Sequence, residues 1–402
     1  MPFRTAPLSN MRYGLIAFDA QGVERADDPD GNPFSKRLLD QAQSDAVTDV
    51  FLCSHGWMGD MRAAESQYDA WIGQLGAVIG NASGIRPMAI GMHWPSKPWG
   101  DENFAITEAL SGSPEARAEL AVLLDRPPSP ETPKALARLA SAIGLETEGV
   151  GGEPMPLSVE SGDDNDPYAE TEMDYGGALG ASGITKALRV FSFWSMKKRA
   201  RTIGEGAMNR FVASVQKSCG ARIHLMGHSF GCVIVSSILN GENLIRPIDS
   251  VVLVQGALSL WSYTAAIPYL GGKSGYFHRV ISGGVVKGPI VTTYSRWDHA
   301  VGIEYPIASR EVDFAAPGLP PKHGAVGACG LAVKDAIAGK MLPAGEPYQF
   351  EPGRVHNLDA SDYICEPKTG LTGAHNDIAR PEVAQVIWQA ALANSRQGAA
   401  NI

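Results

Sequence analysis

The chain reads Ile223-His224-Leu225-Met226-Gly227-His228-Ser229-Phe230-Gly231 and continues at once into the apolar stretch 232–239. A strand-like run thus enters Gly-x-Ser-x-Gly and leaves as a helix. That is the order of a nucleophile elbow, a strand-to-helix turn sharp enough to lift a serine hydroxyl clear of the sheet. Only small residues fit beside such a turn, which accounts for Gly227 and Gly231 flanking Ser229. Ser229 is the candidate nucleophile, and His228, at the variable position of the motif, reads as structural.

Working outward from the elbow, residues 13–19 read as a first strand and 47–53 as a buried strand of a parallel sheet. Ala63, Ala64, Tyr68, Trp71, Ile72 and Leu75 follow helical spacing and predict a crossover helix over 62–79. The next apolar strand is 87–92, counted as the fourth. A helix over about 197–217 leads into the elbow strand, and strands follow at 250–255, 289–294 and, more weakly, 354–358, before a last helix at 381–393. Strands alternating with helices predict an α/β fold, a mostly parallel sheet flanked by helices. Sites in such sheets lie beyond the carboxyl ends of the strands, so candidate residues should follow strands directly.

The alternation lapses over 97–195. This stretch holds helical pieces at 113–124 and 134–143, a proline break at 126–130 and an acidic, glycine-rich run. A structureless loop of that length is improbable in a compact domain, so the stretch reads as a large lid- or cap-like insertion after the fourth strand, flexible near 149–177. The expected organisation is residues 1–96 as the N-terminal half of the core, 97–195 as the insertion, and 196–402 as the C-terminal half. Shorter irregular patches cover 256–287 and 302–353.

The 402 residues are 44% apolar and 19% charged, a globular composition, and no run reaches the roughly 18 apolar residues of a membrane-spanning helix. Residues 1–10 carry no apolar core of a secretory signal, so a cytoplasmic location is the expectation. The five cysteines, Cys53, Cys219, Cys232, Cys329 and Cys365, are scattered and suggest neither a disulfide framework nor a zinc site. The formal charge is −9, and taking away the ten acidic residues of 146–174 leaves +1, which argues against a nucleic-acid partner. The basic cluster Lys197-Lys198-Arg199-Ala200-Arg201 reads as a solvated helix face.

A serine hydroxyl is a weak nucleophile and needs a base, an orienter for that base, and donors for the oxyanion. Asp298, just after the strand at 289–294, is the candidate acid. His375, between the last strand and the last helix, is the candidate base, with His299, His323 and His356 as rivals. For the acid the rivals are Asp359, Asp362 and Glu304. The oxyanion donors would be the backbone N–H of Phe230 and that of Trp57, in the loop Ser54-His55-Gly56-Trp57 after the strand at 47–53. Gly56 permits close backbone approach there, and His55 reads as a structural partner of that loop, as His93 does at the end of the fourth strand. Trp57, Trp94, Trp99, Trp261 and Trp297 follow strands at the same end of the sheet, where they would line an apolar pocket or pack the excursions.

With these motifs in order, the chain resembles the α/β-hydrolase superfamily. Gly91-Met92-His93-Trp94-Pro95-Ser96 and Thr293-Tyr294-Ser295-Arg296-Trp297-Asp298 are similar to a bacterial esterase/lipase-like group within it. The resemblance implies a serine hydrolase acting on carboxylic esters through a Ser229, Asp298, His375 triad, with no metal or organic cofactor and a small-molecule ester as partner. His-Gly-Trp is also found in epoxide hydrolases and haloalkane dehalogenases, but those have proline where Met58 stands and aspartate where Ser229 stands. Neutral or hydrophobic acyl substrates are favoured. A peptidase or amidase, a thioesterase, an acyltransferase, or a catalytically silent binding protein of the same fold remain open, as does the oligomeric state.

Overall fold

The computed structural model of the protein describes residues 3–19, 21–26, 31–57, 60–80, 82–96, 115, 146–148, 150–156, 196–304, 320–367 and 372–400. Its elements in chain order begin with β1 (Arg4–Thr5), β2 (Arg12–Ala17), α1 (Phe34–Ser44), β3 (Asp49–Ser54), α2 (Met61–Ile79), β4 (Pro87–His93), β5 (Glu146–Glu148) and β6 (Pro154–Pro156). There follow α3 (Asn209–Ser218), β7 (Arg222–His228), α4 (Gly231–Asn240), β8 (Ser250–Val254), α5 (His278–Ser282), β9 (Ile290–Tyr294), α6 (Val326–Cys329), β10 (Ile337–Lys340), β11 (Val355–Asp359) and α7 (Pro381–Ala400).

The chain divides into two compact units, one of residues 1–97, 150–153 and 199–402, the other of residues 98–149 and 154–198. In the second, β5 pairs antiparallel with β6. The insertion expected at 97–195, with its helical pieces and most of its acidic run, lies almost wholly outside the described residues, as do Met58 and Trp99.

The first unit is an α/β structure built on a nine-stranded sheet of order β1-β2-β4-β3-β7-β8-β9-β11-β10. Every neighbouring pair is parallel except β1 with β2. β3 lies between β4 and β7, and all six of its residues are buried, as its unbroken apolar run requires of a strand covered on both faces. Alternate residues point to opposite faces. Phe51, Cys53, Met226, Val252, Val254 and Leu358 share one core with α2 and α7, which contribute Tyr68, Ile72, Leu75, Val386 and Trp388. α1, α3 and α4 cover the other face. No described helix is long and apolar enough to cross a membrane.

Helix α2 starts where the Asp60 side chain accepts the N–H of Ala63 at 2.8 Å. It ends at Gly80, with φ +52°. Its Tyr68 is fully buried against Gly91 of β4, where a Cβ would stand 2.7 Å from the ring. The phenol accepts the N–H of His55 at 2.9 Å and that of Met92 at 3.2 Å, and donates to the Met92 carbonyl at 2.5 Å. One hydroxyl thereby ties the carboxyl ends of β3 and β4 together.

Several elements depart from the sequence reading. The helix expected over 197–217 is interrupted by a π-helical turn at Gly204–Met208. There α4 approaches so closely that a Cβ on Gly204 would lie 2.5 Å from the Ser237 Cβ. The basic cluster is not a solvated face. Arg199 and Arg201 are buried, and their guanidiniums donate to the carbonyls of Pro95 at 2.6 Å and Gly152 at 2.7 Å, so the charges are spent on backbone acceptors. α1, β1 and β10 were not foreseen. Replacing Tyr68 by Phe strands the His55 and Met92 backbone groups without changing the packed volume. It should lower stability by about 1–3 kcal/mol, read as a lower denaturant midpoint at unchanged slope.

Candidate active site

Ser229 follows the last residue of β7 and has φ +56°, a left-handed conformation uncommon for any residue but glycine. Tertiary contacts impose it. The Ser229 N–H donates to the Val254 carbonyl at 3.1 Å, and the Ser229 carbonyl accepts the N–H of Cys232 at 3.0 Å and of Ala257 at 3.1 Å. A Cβ on Gly231 would lie 2.2 Å from the Ser54 carbonyl oxygen, and one on Gly227 would lie 2.5 Å from the backbone of Gly231. Neither position admits a side chain. α4 begins at Gly231, so the positive end of its dipole and the amide of Phe230 stand at Ser229.

The loop after β3 packs on the same residue. A Cβ on Gly56 would stand 2.7 Å from the Ser229 Cβ and 3.2 Å from its Oγ, so this backbone is in direct contact with the serine. The Trp57 and Phe230 rings lie 5.8 Å apart. His55 is fully buried and fixes the loop: its Nδ1–H donates to the Gly56 carbonyl at 2.8 Å, which leaves Nε2 to accept the Trp94 N–H at 3.4 Å. The indole N–H of Trp94 donates back to the His55 carbonyl at 3.1 Å. His55 stacks between Trp94 and His93, at centroid distances of 5.8 and 5.4 Å. Burial pushes His55 down to about 4, and burial together with the neighbouring His55 pushes His93 down to about 3, so both are neutral at pH 7.

Asp298 comes four residues after the end of β9 and is 2% exposed. Its loop is stitched to the histidine loop by the Ala374 N–H, which donates to the Trp297 carbonyl at 2.8 Å. Gly373 pairs with Asp298 at φ +58°, where a Cβ would meet the Trp297 carbonyl at 2.3 Å. His375 Nδ1–H donates to Asp298 Oδ2 at 2.7 Å. Gln255 Nε2–H donates to the same oxygen at 2.8 Å, and the Val301 N–H to Oδ1 at 3.2 Å. A carboxylate accepting three such bonds holds the imidazole in the tautomer that leaves Nε2 a lone pair. His228 supports His375 from below: its Nε2–H donates to the His375 carbonyl at 2.9 Å, with the rings 4.8 Å apart. Burial, and then the adjacent His375, hold His228 well below the usual imidazole range.

The structure therefore brings Ser229, Phe230, Trp57, His55, Gly56, Gly227, His228 and Gly231 together around the elbow, and it joins Asp298 to His375 directly. Among the described residues Ser229 Oγ has no hydrogen-bond partner, so the contact from Oγ to His375 is not closed. The rival histidines do not bind Asp298: His299 is exposed, His323 half-buried, and His356 accepts the Glu351 N–H at 3.0 Å. Of the rival acids, Asp359 accepts the N–H of Ser361 and Asp362 pairs with Lys340. Trp94 and Trp261 are buried in structural roles, while Trp297 is 43% exposed. Gln255 was missed, although the requirement that site residues follow strands directly points at it. Among the described residues no group of three His, Cys, Asp or Glu is placed to hold a metal ion.

The three histidines depressed around the site, joined by His224 and His356 elsewhere, have a consequence for stability. Because their folded values lie below the unfolded value near 6.5, the unfolded chain takes up the protons first. Their contribution is complete above pH 6.5 and is lost as pH falls toward 4 and 3. The thermal midpoint should fall steeply between pH 6.5 and 4, and His93→Gln should flatten that slope.

No family model, curated protein or solved structure matches the chain.

Proposed function

We propose that the chain is a serine hydrolase of the α/β-hydrolase fold that cleaves carboxylic esters. The observation that carries this reading is the 2.7 Å bond between His375 Nδ1 and Asp298 Oδ2, with His375 seated on His228, the residue before a serine held in a left-handed elbow. The chain order Ser229, Asp298, His375 and the elbow's place at the carboxyl end of a parallel strand support it.

In this mechanism Ser229 Oγ attacks the ester carbonyl carbon while His375 Nε2 takes the hydroxyl proton. The tetrahedral oxyanion accepts hydrogen bonds from the Phe230 and Trp57 amides, each worth about 3 kcal/mol in the transition state. Collapse breaks the bond to the leaving oxygen, which takes its proton from His375 and departs as the alcohol. A water then gives a proton to His375, attacks the acyl-serine carbonyl and releases the carboxylic acid, with Ser229 regaining its proton. Asp298 stays ionised and keeps the imidazole oriented. Ser229 Oγ and His375 are not hydrogen-bonded in this state, and catalytic bonds of this kind are commonly long or misaligned without substrate and tighten when it binds. The Trp57 ring in the loop against the serine favours apolar acyl groups.

Ser229→Ala and His375→Ala should each lower hydrolysis of a short p-nitrophenyl ester by about 10⁴-fold or more, and the double variant little further, because the members act as a unit. Ser229 should label with a fluorophosphonate, and His299→Ala should stay active. Persistent turnover in Ser229→Ala removes this reading, and an unlabelled, inactive protein points to a silent binding fold. Thioester, anilide and acyl-acceptor substrates in the same panel separate the other acyl-transfer chemistries. Gly56→Ala places a methyl group against Ser229, and its kcat should fall by about 10²-fold with the fold intact.

A further inference from the structure

Gln255 is the first residue after β8, is fully buried, and has φ +48°. A left-handed backbone at glutamine is uncommon, and such conformations persist only where the surroundings hold them. Here the surroundings are explicit. Gly327 of α6 packs flat on Gln255, with room for no Cβ: one there would lie 2.6 Å from the Gln255 carbonyl carbon. The neighbouring Ala257 donates its N–H to the Ser229 carbonyl.

The side chain crosses from the end of β8 to the loop after β9. Thr293, buried on β9, accepts the Gln255 N–H at 3.3 Å and donates its own hydroxyl proton to Gln255 Oε1 at 3.1 Å. With Oε1 thus identified as the acceptor, the amide has one orientation, and Nε2 must face Asp298. It donates to Oδ2 at 2.8 Å, the oxygen that also receives His375 Nδ1–H. Without that donor the carboxylate would keep, besides the His375 bond itself, only the Val301 amide on its other oxygen, and its plane would be freer to turn away from the imidazole.

We infer that Gln255 is a positioning residue: it locks Oδ2 of Asp298 onto His375 and, through the same loop, couples that pair to the elbow at Ser229. The inference rests on the hydrolase reading for its kinetic part, while its structural part concerns the Asp298–His375 bond and is measurable without turnover.

The test uses Gln255→Leu and Gln255→Glu in the full chain, with the downfield proton resonance of His375 Nδ1–H, assigned by its loss in His375→Gln. For Gln255→Leu, kcat should fall by about 10- to 100-fold, the range for losing a buried bond to a charged group, with KM within about twofold. The resonance should move upfield or broaden. Gln255→Glu keeps a donor only while its own carboxyl is protonated, and burial beside Asp298 favours that form. Its rate relative to the unsubstituted protein should therefore drop as pH rises from about 5 to 8, whereas the ratio for Gln255→Leu stays flat. If Gln255→Leu does not fold, Thr293→Val frees the amide to turn and should give the same changes at smaller size. An active protein whose variants keep both kcat and the resonance overturns the inference alone. An inactive, unlabelled protein whose resonance still answers to residue 255 overturns the hydrolase reading alone.

Discussion

The left-handed backbone at Ser229 is the constraint on which the site depends. It exists because β3 and β7 are neighbours in register, with Ser54 opposite Gly227, so the helix leaving β7 must start against the carbonyls of Ser54 and His55. A side chain at Gly231 would force the two strands apart. The loop after β3 and the elbow are thus one packed unit, and whatever fixes one fixes the other. Tyr68 and Trp94 supply that fixing from behind, each hydrogen-bonded to the backbone of His55. Strain at the serine is offset by the core beneath it, where Phe230 and Cys232 are fully buried.

A second unit is assembled from more distant parts of the chain. Asp298 and His375 are 77 residues apart and meet because β9 and β11 pair in parallel, which puts the loop after each strand at the same edge of the sheet. Their junction is made by backbone bonds between 297–298 and 373–374. Two buried neutral side chains then hold it: Gln255 on the carboxylate and His228 on the carbonyl of His375. The histidines around the site are kept uncharged by burial, so in the proposed mechanism His375 alone gains and loses the working proton.

Much of this architecture was legible in the sequence. The strands at β3, β4, β7, β8 and β9 were found to within one or two residues because buried parallel strands are short unbroken apolar runs. α1 was missed although Phe34, Leu38 and Ala42 recur every four residues and are its buried face. β10 carries no such signal: it is an edge strand of four residues, three of them exposed, and only pairing with β11 makes it a strand. The buried arginines were misread because a charge run is solvated by default, and only the folded chain brings the carbonyls of Pro95 and Gly152 within reach.

The sequence by itself determined the class of fold and the elbow, since strand–turn–helix order, apolar periodicity and the two glycines are properties of contiguous residues. It also named Asp298 and His375, from their places in the loops that follow predicted strands. Tertiary structure decided what no local pattern encodes: that Asp298 receives His375 and not His299, that Gln255 shares its oxygen, and that His228 ends beneath His375. Those choices depend on which strand lies next to which. Hydrogen bonds across a sheet join residues whose separation along the chain carries no information about their distance in space.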